Sequence, residues 1–203
     1  TVSINADLAR YVKDTWRVES RLELEFEKLY RRLFLPLIRH GSAGARKRYA
    51  GVVEGEDGVE FVGMEVVRRD WTELAKNVQR ELYLRLFDDG PVLGFLRGYV
   101  RDLRLGKLDN LLVYRKGLRK ALHEYTAITP PHVVAARKAK TLSRVVSYVV
   151  TTAGPEPLDN VQHELDREHY VQRQVRPVAE PVLDVMGLDF DRAIGDDRQL
   201  GLF

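Results

Sequence analysis

The chain contains no cysteine. That absence excludes disulfides, thiolate metal sites and a cysteine nucleophile, and it agrees with a reducing compartment, so the cytosol is the expected location. No stretch approaches the roughly 18 consecutive apolar residues that a bilayer span requires, and the amino end carries no signal-peptide pattern. Neither a membrane partner nor export is expected. A Gly-x-Ser-x-Gly elbow, a Walker loop and a glycine-rich dinucleotide fingerprint are also missing. The histidines are His40, His123, His132, His163 and His169, and no two stand at the helical spacing that lets a pair grip one metal.

What is present is ordinary globular material. The 203 residues are 44% hydrophobic and 31% charged, with no low-complexity tract, enough for one domain or two small ones with a real core. Net charge is only +3, so a basic partner surface must come from local clustering and not from the overall balance. Thr1-Val2-Ser3-Ile4, without an initiator methionine, reads as the interior of a longer polypeptide.

Two clusters answer that requirement. Arg46-Lys47-Arg48-Tyr49-Ala50-Gly51 and Gly63-Met64-Glu65-Val66-Val67-Arg68-Arg69-Asp70-Trp71 each set cations beside an aromatic in a stretch that otherwise reads as sheet. One such cluster is most simply a solvated hairpin face. Two at this spacing favour a phosphate backbone, which wants fixed cations, free N–H groups and a ring to lie against a sugar or base edge. Pro130-Pro131-His132 adds an imidazole at a predicted helix N-terminus, where anions are favoured.

Periodicity orders the chain as α+β. Asn5 or Asp7 can cap a helix running to Trp16, with Leu8, Val12 and Trp16 stacked. In Leu22-Glu23-Leu24-Glu25-Phe26-Glu27 the period changes to two, which predicts a half-buried strand with an acidic face. That face is either simply wet, or Glu25 and Glu27 border a divalent-metal site whose main ligands come from elsewhere. Asp57-Gly58 predicts a hairpin turn between Val52-Val53 and Val59-Glu60-Phe61-Val62, with sheet continuing through residue 67. Helices follow: one with Asp70 as cap and Trp71, Leu74, Ala75, Val78, Leu82 and Leu86 as its stripe, one from Pro91 to Gly106, and one from Pro130-Pro131. Val145 to Thr152 predicts a strand closed by Gly154-Pro155, and Asp166 to Met186 a helix that Pro177 and Pro181 must kink or split.

These motifs carry a resemblance. Lys47-Arg48-Tyr49 resembles the Lys-x-Tyr motif of family B DNA polymerases, and Gly63 to Trp71 resembles the segment leading from their palm into their thumb. Tyr125, Pro130-Pro131-His132-Val133, Val146-Ser147-Tyr148-Val149, Gly154-Pro155-Glu156-Pro157-Leu158, His169-Tyr170 and Gln174 extend it in the same order, most like the bacterial members. The resemblance implies a carboxy-terminal palm piece at 1–70, a mainly helical thumb at 71–194 and a flexible tail at 195–203.

It also implies roles. Lys47 and Tyr49 would hold primer-template DNA, supported by Arg46 and Arg48; Gly63 would admit a phosphate; Arg68 and Arg69 would neutralise the departing primer strand. Arg119, Tyr125, Thr126, His132 and Arg137 would track the duplex further out, while Glu25 and Glu27 would lie beside the polymerase metals. Gln199-Leu200-Gly201-Leu202-Phe203 resembles the bacterial sliding-clamp-binding motif, with Gln199, Leu200, Leu202 and Phe203 as contacts. The aspartate motifs that hold the two catalytic Mg2+ ions are missing, as are exonuclease and fingers, so the parent is expected to be a polymerase of replication, repair or lesion bypass at the nucleoid and this piece alone inactive. The alternative is a free-standing, non-catalytic DNA-binding or clamp-interaction module. The stretch from Lys138 to Arg144 is shorter than the family loop.

Overall fold

The computed structural model describes residues 1–37, 47–126 and 129–195. Its element order is α1 (Val2–Trp16), β1 (Tyr30–Phe34), β2 (Tyr49–Val53), β3 (Glu60–Val62), α2 (Glu73–Phe87), α3 (Val92–Arg104) and β4 (Tyr114–Gly117). Then come α4 (Pro131–Lys138), β5 (Val145–Thr151), β6 (Gly154–Pro157), α5 (Arg167–Tyr170), α6 (Arg176–Val185) and α7 (Phe190–Ile194). The α+β expectation holds.

The fold is organised around α2, whose apolar stripe is fully used: Leu74, Ala75, Val78, Leu82 and Tyr83 are completely buried. Its cap is Thr72 and not Asp70, because the Thr72 hydroxyl accepts from the Ala75 N–H while Asp70 is occupied by Arg68. Thr72 in turn donates both its hydroxyl and its N–H to the Gln174 carbonyl oxygen, at 2.8 and 3.2 Å. Gln174 reaches that cap from a π-helical turn, Val171–Val175, which divides the predicted last helix into α5 and α6. The break therefore falls before the prolines: Pro177 sits in the first turn of α6, where it needs no N–H partner, and Pro181 lies inside α6.

Two antiparallel three-stranded sheets flank the helices among the described residues. In the first, β2 pairs with β1 and β3, and Phe34 and Phe61 set their rings edge-on against Tyr83 at 5.2 and 5.7 Å. Ala50, Val52, Met64 and Val66 thereby join the core made by α2, α3, α6 and α7, so one apolar cluster runs across residue 70. The predicted hairpin is present, with positive φ at Gly55 and Gly58. The sheet stops at Val62 and not at 67, because Glu65–Val67 forms a short 3-10 turn that buries Glu65 and Val66. In the second sheet β5 lies between β4 and β6, with α4 against it. Gly154-Pro155 opens β6 instead of only closing β5. Tyr114 stacks between Tyr148 at 5.1 Å and Tyr170 at 5.6 Å, which joins this sheet to the main core.

The amino-terminal region departs most from expectation. α1 forms, with Thr1 and not Asn5 or Asp7 at its N-cap, yet it buries no residue. Leu22 to Glu27 forms no strand and no other regular element, with Leu22, Leu24 and Phe26 67%, 49% and 71% exposed. Alternation gives a chain only the potential to pair; here the segment joins no ladder and is held by Asn5, whose side chain bonds both the N–H and the C=O of Leu24. No helix of the described residues is long and apolar enough to cross a membrane.

Leu82→Ala should lower unfolding free energy by about 2–5 kcal/mol, whereas Leu22→Ser should change it by about 0.5 kcal/mol or less, as read by urea denaturation. Equal losses would mean that Leu22 is packed.

Candidate nucleic-acid interface

The two basic clusters that the sequence separates lie side by side in space. β2 begins at Tyr49 opposite Val62 of β3, which brings the backbone of Lys47 onto Gly63. Gly63 has φ of +62°, and a Cβ there would stand 2.0 Å from the Lys47 carbonyl oxygen. Within the chain, the close approach that Gly63 permits is to Lys47. Tyr49 is half-buried beside Tyr30, the rings meeting edge-on at 5.9 Å, and Gly51 leaves room for the Tyr30 ring. The Tyr30 hydroxyl and Lys28 both donate to Glu60, each at 2.6 Å. Those bonds hold the Glu60 carboxyl below its usual range, chiefly through Lys28.

Arg48 points the other way. One guanidinium nitrogen donates to both oxygens of the wholly buried Glu65, at 2.6 and 2.8 Å. Gln79 of α2 donates to the same carboxylate at 2.9 Å and accepts from the Val66 N–H at 2.8 Å. Arg48 therefore neutralises an internal carboxylate and is not an outward cation, because a buried charge demands a partner more strongly than an exposed phosphate site does.

Beyond the turn, Arg68 makes a two-point pair with Asp70 at 3.1 and 2.9 Å, and Arg69 is exposed. The pairing with Arg68 depresses the Asp70 carboxyl, and Lys116 on β4 contributes in the same sense. Lys116 also acts on His132, whose basicity is lowered first by burial and then by Lys116 and Arg119. Lys116 is thus within electrostatic reach of both Asp70 and His132.

The outer residues do assemble. The Tyr125 hydroxyl accepts from the Arg119 N–H at 3.1 Å, its carbonyl accepts from Arg137 at 2.9 Å, and Lys120 lies 4.8 Å above its ring. Thr126 is exposed beside them. His132 differs from them: it is buried, edge-on to Tyr125 at 6.4 Å, and its basicity is lowered, first by burial. Lys116 and Lys120 were missed. The signal was available, since Arg115, Lys116, Arg119 and Lys120 crowd one short stretch.

Glu25 and Glu27 border a groove of about 350 Å3 with Tyr30 and Tyr49, and both are exposed. No group of three or more His, Cys, Asp or Glu residues that could hold a metal ion occurs among the described residues. These two carboxylates do not make a metal centre by themselves. Arg46, Gln199, Leu200, Leu202 and Phe203 lie outside the described residues.

Residues 1–182 match the profile of DNA polymerase family B. The chain is 41% identical to DNA polymerase II of Escherichia coli strain K12 over 221 residues, which covers 98% of this chain and 28% of that protein. It is 30% identical to the DNA polymerase of Thermococcus kodakarensis over 92% of this chain and 12% of that one. Among solved structures, the family B DNA polymerase of the hyperthermophilic archaeon Pyrobaculum calidifontis superposes with a TM-score of 0.62 at 27% identity, over 91% of this chain and 25% of that one. The chain thus spans little more than a quarter of its relatives' length at most.

Burial makes the acid response of His132 testable. Its folded basicity lies below the ordinary 6.5, so below about pH 6.5 the unfolded chain takes up a proton that the folded chain refuses, and stability falls until the folded value is passed. His169 is lowered by burial with the same sign. His132→Asn should therefore lose less stability between pH 7 and about pH 5 than the unaltered chain, as read by urea denaturation at each pH. An unchanged loss would show that His132 is accessible to protons in the fold.

Proposed function

The chain belongs to DNA polymerase family B, and from that premise we propose that it forms the product-gripping, carboxy-terminal part of a DNA-directed DNA polymerase. In this reading residues 1–70 complete the palm, 71–194 form the thumb and 195–203 form a tail that docks a sliding clamp. The substrate is primer-template duplex, and the setting is replication, repair or lesion bypass at the bacterial nucleoid. The observation that supports it best is the meeting of the two basic-aromatic clusters, with the Lys47 carbonyl against Gly63 and Arg48 on Glu65, beside a second assembly of Arg119, Tyr125 and Arg137.

The physical task is grip without sequence reading. Lys47, Arg69, Lys116 and Arg119 carry the charge that meets phosphates, and Tyr49, fixed edge-on by Tyr30, supplies a rigid ring at the same edge. In the intact enzyme two Mg2+ ions would activate the attacking hydroxyl and stabilise the leaving oxygen. Their aspartates would come from segments outside this chain, so no chemical step is assigned to its residues. A free-standing module is the weaker reading, because α1 and the stretch after it leave Val2, Trp16, Leu22 and Phe26 in water. Such a surface fits a piece that is covered by the rest of a larger protein.

Lys47→Ala should weaken binding of labelled primer-template duplex to the same degree for every sequence and lower the slope of log K against log salt by about one. Unchanged affinity and slope would overturn the assignment. Removal of Leu202 and Phe203 from the full-length polymerase should abolish stimulation by the clamp and leave clamp-free synthesis unchanged. Equal losses in both would assign the tail to folding.

A further inference from the structure

Resting on the reading of Lys47 and Tyr49 as duplex contacts, we propose that the buried Arg48–Glu65–Gln79 network positions them, so that Glu65 and Gln79 act on DNA binding without touching DNA. Three distant pieces of chain meet there. Arg48 stands 17 positions from Glu65, and Gln79 stands 14 positions from Glu65. The first lies between Lys47 and Tyr49, the second in the turn that precedes Arg68, and the third on α2, the central helix of the core.

The geometry is that of a clip. Gly63 receives the Lys47 carbonyl with no room for a Cβ, and Arg48 reaches past it to Glu65. Gln79 then fixes the turn from both sides, donating to the Glu65 carboxylate and accepting from the Val66 N–H. Glu65 is fully buried and Gln79 is 1% exposed, so neither can meet a duplex directly.

Stability alone is a poor reason for this arrangement. A buried ion pair gives back in desolvation much of what it gains by attraction, and apolar replacement is often neutral or stabilising. Here the pair is also incomplete, since Arg48 Nε is buried without a hydrogen-bond partner. Registry is the best-attested use of such a pair. The network sets the start of β2 at one height against the 63–66 turn and ties both to α2. A cation and a ring beside the duplex need that fixed height, because phosphates are met at fixed intervals along a rigid helix.

The sign of one substitution separates this idea from a direct contact. Glu65→Gln keeps the shape and the bond to Gln79 but releases Arg48 from its charge partner. If Arg48 itself grips phosphate, its release should tighten binding of a labelled primer-template duplex and steepen the salt dependence. If the network positions Lys47 and Tyr49, Glu65→Gln should weaken binding about tenfold. The measurement is fluorescence anisotropy on the full-length polypeptide that contains this chain, with thermal unfolding run alongside.

Where Glu65→Gln does not fold, the paired apolar replacement Arg48→Met with Glu65→Leu serves the same purpose. In either background Lys47→Ala should cost much less than it costs in the unaltered protein, because the lysine has already lost its place. Equal costs in both backgrounds, or binding unchanged by Glu65→Gln, would overturn the positioning role. If Lys47→Ala has no effect even in the unaltered protein, it is the duplex-contact reading that fails.

Discussion

A single buried carboxylate, that of Glu65, ties the start of β2, the 65–67 turn and α2 to one another. It is completely enclosed, so it must be met by donors, and among the described residues Arg48 at the foot of β2 and Gln79 on α2 meet it. Satisfying it fixes the entry into β2, the 3-10 turn at 65–67 and the axial position of α2 together. The core then follows from α2, since its stripe collects the rings of β1 and β3 on one side and α3 and α6 on the other. Gly63 belongs to the same constraint, because only a residue without a Cβ lets Lys47 approach closely enough for Arg48 to reach inward.

This has a consequence for how charge is distributed. The chain carries many cations, but the fold spends several of them internally or against neighbours: Arg48 on Glu65, Arg68 on Asp70, Arg167 on Asp109 and Arg176 on Glu180 and Asp191. The exposed pairs among these contribute little to stability, yet they remove charge from the surface field. Lys47, Arg69, Lys116 and Arg119 are among the cations left exposed. A weak net charge of +3 is thus compatible with a locally strong site.

Much of the architecture was legible beforehand. The stripes of α2 and α3, the Pro130 start of α4 and the β5 run all formed where periodicity put them, because each buries a face along its own length. Leu22 to Glu27 did not become a strand, since alternation describes one chain while a ladder requires two. Asp70 lost its role as a cap to Thr72 because Arg68, two positions away, competes for its carboxylate. The predicted split of the last helix falls ahead of the prolines, at the π turn that carries Gln174 to Thr72, with the i−4 carbonyl of Pro177 lying inside that turn.

For the site, the sequence by itself determined the family, the two basic-aromatic clusters and the outer group of Arg119, Tyr125 and Arg137, because these are local patterns of residue type in order along the chain. Only the tertiary structure decided which of those cations face outward. It turned Arg48 inward, enclosed His132, gave the space beside Gly63 to Lys47 and set Lys116 within electrostatic reach of Asp70 and His132. The reason is physical: the partner that claims a charge is chosen by distance through space and by the cost of leaving a buried group unpaired, and neither quantity is written in the order of residues.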